Sequence, residues 1–85
     1  MPRSVRILFF ASAHEATGTK ELEWAVPPSG VPLRELLQAL EGRFPKLSPI
    51  LATSRFVRNG TYLRGSSGRI RPGDEFAVHP PYSGG

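Results

Sequence analysis

One helical stripe stands in the middle of a chain whose other apolar residues mostly alternate. Leu33, Leu36, Leu37, Leu40 and Phe44 recur at i, i+3, i+4, i+7 and i+11, with Arg34, Glu35, Gln38 and Glu41 between them. That spacing gives one amphipathic helix with a single apolar side. The side must be buried against something, and the rest of the sequence offers strands, so the reading is α+β with one helix packed on one face of a sheet. Pro32 suits the first helical position, where a missing N–H costs nothing, and Pro45 ends the helix. Leu47, Ile50 and Leu51 follow as an irregular or 3₁₀ segment against the same core.

Before the helix, Val5, Ile7 and Phe9 alternate with Arg6, Leu8 and Phe10. This is the period of a strand, and its largely apolar second face places it inside the sheet. Ala11 to Thr17 is a short polar connection with room for one helical turn, and Gly18 closes it. A second strand runs from about Lys20 to Val26, with Leu22, Trp24 and Val26 on one face and Glu21 and Glu23 on the other. The short link predicts an antiparallel hairpin. Pro27, Pro28, Ser29 and Gly30 end it.

After the helix, Phe56 and Val57 lead into Asn59-Gly60, a pair suited to the positive φ angles of a type I′ turn, and Thr61, Tyr62 and Leu63 return. Gly65 to Gly68 is a loop. Arg71-Pro72-Gly73-Asp74 suits a type II turn, and Glu75 to His79 forms the last strand with Phe76 and Val78 inward. The order is β, β, α, β, β, β, with the last strand able to lie parallel beside the first. A mixed sheet of about five strands carrying one main helix resembles the β-grasp, or ubiquitin-like, fold.

An 85-residue chain has room for one domain. It has no cysteine, which removes disulfides, thiolate catalysis and the common zinc frameworks, so the apolar core must suffice. No apolar run approaches the ~20 residues of a membrane span, and the N-terminal residues lack the pattern of a secretory signal. A soluble cytoplasmic protein without membrane partners is expected. The formal net charge is +4, with Arg55, Arg58, Arg64, Arg69 and Arg71 in a stretch free of carboxylates. Such a stretch can face nucleic acid, but long basic runs and aromatic platforms at strand spacing are missing. A solvated face, or one turned to an acidic protein, is the better reading, and nucleic acid is not expected as a partner.

Little in the body of the chain suggests chemistry. His14 and His79 are too few and too far apart for a metal site, so no metal is expected. Glu21 and Glu23 share a solvated strand face, and no glycine-rich phosphate loop is present. Pro80-Pro81-Tyr82-Ser83-Gly84-Gly85 differs from all of this. Two prolines stop the ladder and stiffen the exit, and side chains then dwindle to bare backbone. Six extended residues reach about 20 Å, enough to thread a narrow pocket of a partner. A frayed tail is the plain alternative. A rigid base with a bare tip suits insertion better.

With these residues the chain resembles the ubiquitin-like sulfur carriers, most closely the small, sulfur-carrying subunits of molybdopterin synthases. The likeness rests on Val5 to Ala11, the leucine-rich helix, Val57-Arg58-Asn59-Gly60, Pro72-Gly73-Asp74-Glu75-Phe76-Ala77-Val78 and, most specifically, the ending Pro80 to Gly85. Two features depart from that branch: a more basic balance, and His79 where an aromatic residue is common. The resemblance implies a β-grasp domain over residues 1–79 and an extended tail over 80–85. It also implies a cycle at the carboxylate of Gly85. An adenylyltransferase similar to ubiquitin-activating enzymes would use ATP to form a transient acyl-adenylate there, and a persulfide donor would convert it to a thiocarboxylate, 1-thioglycine. The synthase large subunit would receive the tail and supply the catalytic side chains, and cyclic pyranopterin monophosphate would take the sulfur to form the dithiolene. The chain itself would be a non-catalytic carrier with no bound cofactor. Carriers for thiazole or tRNA thiolation, and protein modifiers joined through Gly85, share this outline. A basic β-grasp module binding RNA through Arg55 to Arg71 is the reading from another class.

Strand parity locates a partner surface. If Val5, Ile7, Phe9, Phe76 and Val78 face the helix, then Leu8, Phe10, Ala77 and His79 lie on the other side of the sheet, and Tyr62 joins them from a neighbouring strand. In the family this resembles the patch that docks on the large subunit and on the activating enzyme.

Overall fold

Alternation in the first seven residues that follow Arg3 becomes the centre of the molecule. A computed structural model describes residues 3–81. In it, β1 (Ser4–Phe9) buries Val5, Ile7 and Phe9 and turns Arg6 and Leu8 the other way. β2 (Glu21–Ala25) pairs antiparallel to β1, and the last strand, β7 (Glu75–His79), pairs parallel to it on the other side. β4 (Arg55–Arg58) lies antiparallel to β7, and β5 (Thr61–Tyr62) closes the row, so the order is β2-β1-β7-β4-β5. The main helix, α2 (Leu33–Arg43), crosses one face and buries Leu33, Leu36 and Leu40. This is the β-grasp arrangement.

Its core is one cluster in which Phe76, Ile7, Leu36, Leu47 and Ile70 are among the largest fully buried side chains, with Phe56 and Phe76 stacked at 5.8 Å between centroids. Fully burying each such side chain contributes about 1.5–3 kcal/mol, the scale on which a cysteine-free chain of this size can hold. Leu37 and Phe44, the rest of the expected stripe, pack against the cluster only partly buried. The chain between β1 and β2 is a genuine short helix, α1 (Ser12–Thr17), closed by Gly18 in the left-handed region with its N–H donating to the His14 carbonyl at 2.8 Å. Past Phe44, a 3₁₀ turn (Pro45–Leu47) and α3 (Ser48–Leu51) bury Leu47 and Leu51 as expected.

The structure corrects the sequence reading at three places. Pro32 is the residue before the helix and not its first, with φ −59° and ψ 143°, because it belongs to a two-residue strand. That strand, β3 (Val31–Pro32), pairs with β6 (Arg69–Ile70) as a second small sheet the alternation does not announce. Ala77, expected on the open face, lies there by register yet is buried, since its central strand is flanked on both sides.

Both expected turns form. Asn59 and Gly60 have φ of 49° and 84°, as a type I′ turn requires. Gly73 has φ 90°, and the Asp74 N–H donates to the Arg71 carbonyl at 3.0 Å. Gly30 is tightly enclosed, with φ +78° and room so limited that a Cβ would sit 2.5 Å from the Ile70 carbonyl oxygen. Gly30→Ala therefore combines a left-handed backbone with a clash against the β3–β6 ladder. Thermal unfolding should show it less stable by about 2 kcal/mol or more, with an unchanged melting curve as the contrary result.

Candidate functional site

Register arranges the face of the sheet away from α2 into two transverse rows. Leu8, Ala77, Val57 and Tyr62 are successive partners across β1, β7, β4 and β5. Beyond them, Arg55 is the partner of His79, and Phe10 continues past β1 with its N–H donating to the Val78 carbonyl at 3.4 Å. The rings meet: Phe10 and His79 lie 4.7 Å apart between centroids, and Tyr62 and His79 lie 6.1 Å apart, edge to face. Phe10 and Tyr62 are nonetheless 43% and 52% exposed, the two large hydrophobic residues that the described part of the chain leaves in water. Four residues chosen by parity, Leu8, Phe10, Tyr62 and His79, are thus brought to one patch.

Local backbone sets the patch. Ala11 holds φ 50° and ψ −125°, turning the chain sharply from β1 into α1 and leaving Phe10 at the corner. Phe10, Leu8, Ala11 and His14 line a shallow hollow of about 470 Å³ beside it. Val57 and Arg55 also belong to the face. Their parity with inward Phe56 was the available signal for both.

The polar part of the face gathers on Arg6. Its guanidinium pairs with Glu21, and Ser4 Oγ donates to Glu23 Oε2 at 2.6 Å on the neighbouring positions. The Arg6 pKa is raised, first by the hydrogen bond to Glu21 and then by the charge of that carboxylate, with Glu75 and Glu23 adding to it. Glu21 and Glu23 thus serve a surface charge network. Among the described residues no group of three or more His, Asp or Glu side chains is placed to hold a metal ion, and no helix is long and apolar enough to cross a membrane.

The strand that carries Ala77 and His79 ends at this patch. Pro80 and Pro81 follow directly and offer no N–H to extend the ladder. Tyr82, Ser83, Gly84 and Gly85, the remaining residues singled out in the sequence, lie outside the described residues.

A model of the ThiS family matches residues 7–85, nearly the whole chain. This chain belongs to the ThiS family. Curated relatives of this ThiS-family chain include the molybdopterin synthase sulfur carrier subunit of Chlamydomonas reinhardtii, 30% identical over 95% of this chain and 98% of the relative. That of Drosophila ananassae is 38% identical over 96% and 91%. SAMP1 of Haloferax volcanii, a solved structure, superposes with a TM-score of 0.79 at 28% identity over 96% of this chain and 99% of that one. The complex of subunits 1 and 2 of the molybdopterin-converting factor of Helicobacter pylori contains the same fold, with a TM-score of 0.66 at 20% identity over 96% and 99%. The ubiquitin-like sulfur-carrier resemblance read from the sequence is thereby borne out.

Proposed function

We propose that this chain is the sulfur-carrying subunit of a molybdopterin synthase, with the sulfur held as a thiocarboxylate on Gly85. The observation that carries the reading is spatial. The patch of Leu8, Phe10, Tyr62 and His79 lies at the end of β7, and the sequence from that end is Pro-Pro-Tyr-Ser-Gly-Gly. A partner that grips the patch is therefore positioned to take the following residues. Relatives named as sulfur carrier subunits of that synthase, matched along nearly their full lengths, support it.

The chemistry is that of an activated carboxylate. The Gly85 carboxylate attacks the α-phosphorus of ATP on an adenylyltransferase, pyrophosphate leaves, and the acyl-adenylate replaces a poor leaving group with AMP. The terminal sulfur of a persulfide attacks the acyl carbon and displaces AMP. A second thiol then attacks the donor's inner sulfur, breaking the S–S bond of the acyl disulfide, so that the thiocarboxylate leaves and the donor sulfur and the second thiol are joined as a disulfide. A chain without cysteine suits this role, because the sulfur resides on the backbone terminus and meets no thiol of the carrier itself. The large subunit receives the tail and holds the catalytic side chains, and cyclic pyranopterin monophosphate accepts the sulfur.

One observation favours a second reading. SAMP1 of Haloferax volcanii shares the fold at 28% identity, and SAMP1 is spelled out as small archaeal modifier protein 1 in the name of the Methanosarcina acetivorans structure. Conjugation would use the same acyl-adenylate with a lysine amine as nucleophile. The two are separated by reconstitution with the activating enzyme, ATP, a persulfide donor, the large subunit and cyclic pyranopterin monophosphate. Dithiolene formation supports the carrier. Isopeptide-linked products without dithiolene support the modifier.

A further inference from the structure

The five arginines between Arg55 and Arg71 divide once they are placed in the fold. Arg58 donates from Nη1 to the Arg69 carbonyl at 2.7 Å, and Arg69 donates from Nε to the Ser29 carbonyl at 2.8 Å and from Nη2 to that of Gly30 at 3.4 Å. These two cations are fastenings for the β3–β6 ladder. Arg55 is different. It is exposed, its guanidinium lies 4.4 Å from the centroid of the Tyr62 ring, and its cross-strand partner is His79 at the end of β7.

The carboxylates of the same face are gathered elsewhere. Glu21, Glu75 and Glu23 act on Arg6, and among the described residues Arg6–Glu21 is the one ion pair. Among the described residues Arg55 therefore has no carboxylate partner, and it lies at the end of the sheet where β7 gives way to Pro80 and Pro81. The guanidinium carbon lies over the Tyr62 ring, so a cation–π contact holds the charge at this place on the face, and a guanidinium carries the fork of N–H donors that can bind a planar carboxylate by two parallel hydrogen bonds.

We propose that Arg55, held over the Tyr62 ring beside His79, is a carboxylate-recognition point, and that the protein docking on the open face presents an Asp or Glu side chain to it. The proposal rests on the docking role of the Leu8, Phe10, Tyr62 and His79 patch. It adds the chemistry of the partner: an apolar surface to meet Phe10 and Leu8, flanked by a carboxylate on the β4–β5 side. A partner lacking that carboxylate leaves a desolvated guanidinium unpaired, so Arg55 acts as a selector among docking proteins.

The test is titration calorimetry of the full chain against the molybdopterin synthase large subunit of the same organism, at low and high salt. Arg55→Gln should melt like the unchanged chain, because Arg55 is exposed, and should bind roughly ten- to a hundredfold more weakly at low salt. The deficit should shrink at high salt. Arg55→Lys should recover only a minor part, since an ammonium has no planar fork. Undiminished binding by Arg55→Gln together with lost binding by Phe10→Arg overturns the carboxylate point and leaves the docking face standing. Undiminished binding by both variants overturns the docking face itself. Full recovery by Arg55→Lys overturns the two-bond geometry. A single-stranded RNA oligonucleotide that binds the chain through Arg55, while the large subunit binds regardless of it, overturns the class of partner.

Discussion

Deleting Gly85 should abolish dithiolene formation in the reconstituted system while leaving the melting temperature of the domain where it was. The two halves of this expectation have separate causes. Every member of the buried core cluster lies between Val5 and Val78, and the backbone ladder of the five-stranded sheet is complete at His79. The truncation therefore leaves all of these core residues and sheet strands in place. Chemically it removes the residue whose carboxylate is to be adenylated and moves the new terminus back by one residue, at most about 3.6 Å of reach. An acyl transfer demands that the reacting atoms meet within roughly 3–3.5 Å, so a terminus short by one residue should not be loaded or delivered. Activity comparable to that of the full chain would show that the sulfur resides elsewhere.

The second large effect belongs to Phe10. Phe10→Arg should leave circular dichroism unchanged and lower the melting temperature by about 2–12 °C, since the lost contact is one exposed ring pair with His79, worth about 0.5–1.5 kcal/mol. Binding to the large subunit should fall by more than a hundredfold, about 3 kcal/mol or more, because a second guanidinium would enter the apolar contact without a counter-charge. A folded variant with undiminished affinity would place the partner on another surface. An unfolded variant would mean that Phe10 supports the core, contrary to its exposure.

What could be read from the sequence was local or periodic. The faces of β1 and β7 followed from alternation, and Phe9 and Phe10, adjacent in sequence, parted to opposite sides as parity demands. Asn59-Gly60 and Pro72-Gly73 announced their turns because few residues tolerate those φ values. Features that depend on remote partners were not legible. β3 and β6 contribute two residues each and exist through their mutual pairing. Asn59 Nδ2 donates to Asp74 Oδ1 at 2.9 Å and Asn59 Oδ1 accepts from the Glu75 N–H at 2.9 Å, joining two turns whose residues stand 15 and 16 positions apart in the sequence. The burial of Ala77 follows from its neighbours Leu8 and Val57 and not from its own chemistry. The division of the arginines has the same origin: Arg58 and Arg55 are alike in sequence, and only the fold turns one toward a backbone carbonyl and the other onto a tyrosine ring.

The central claim, that this chain carries sulfur on its terminal carboxylate, is tested most directly by mass. The full chain is incubated with the activating enzyme, ATP and a persulfide donor, and its intact mass is followed by fragmentation to locate the change. The expected product has one oxygen replaced by one sulfur, confined to the fragment that contains Gly85. Sulfur on any other fragment, or an unmodified mass while the activating enzyme consumes ATP on an established carrier, would contradict it.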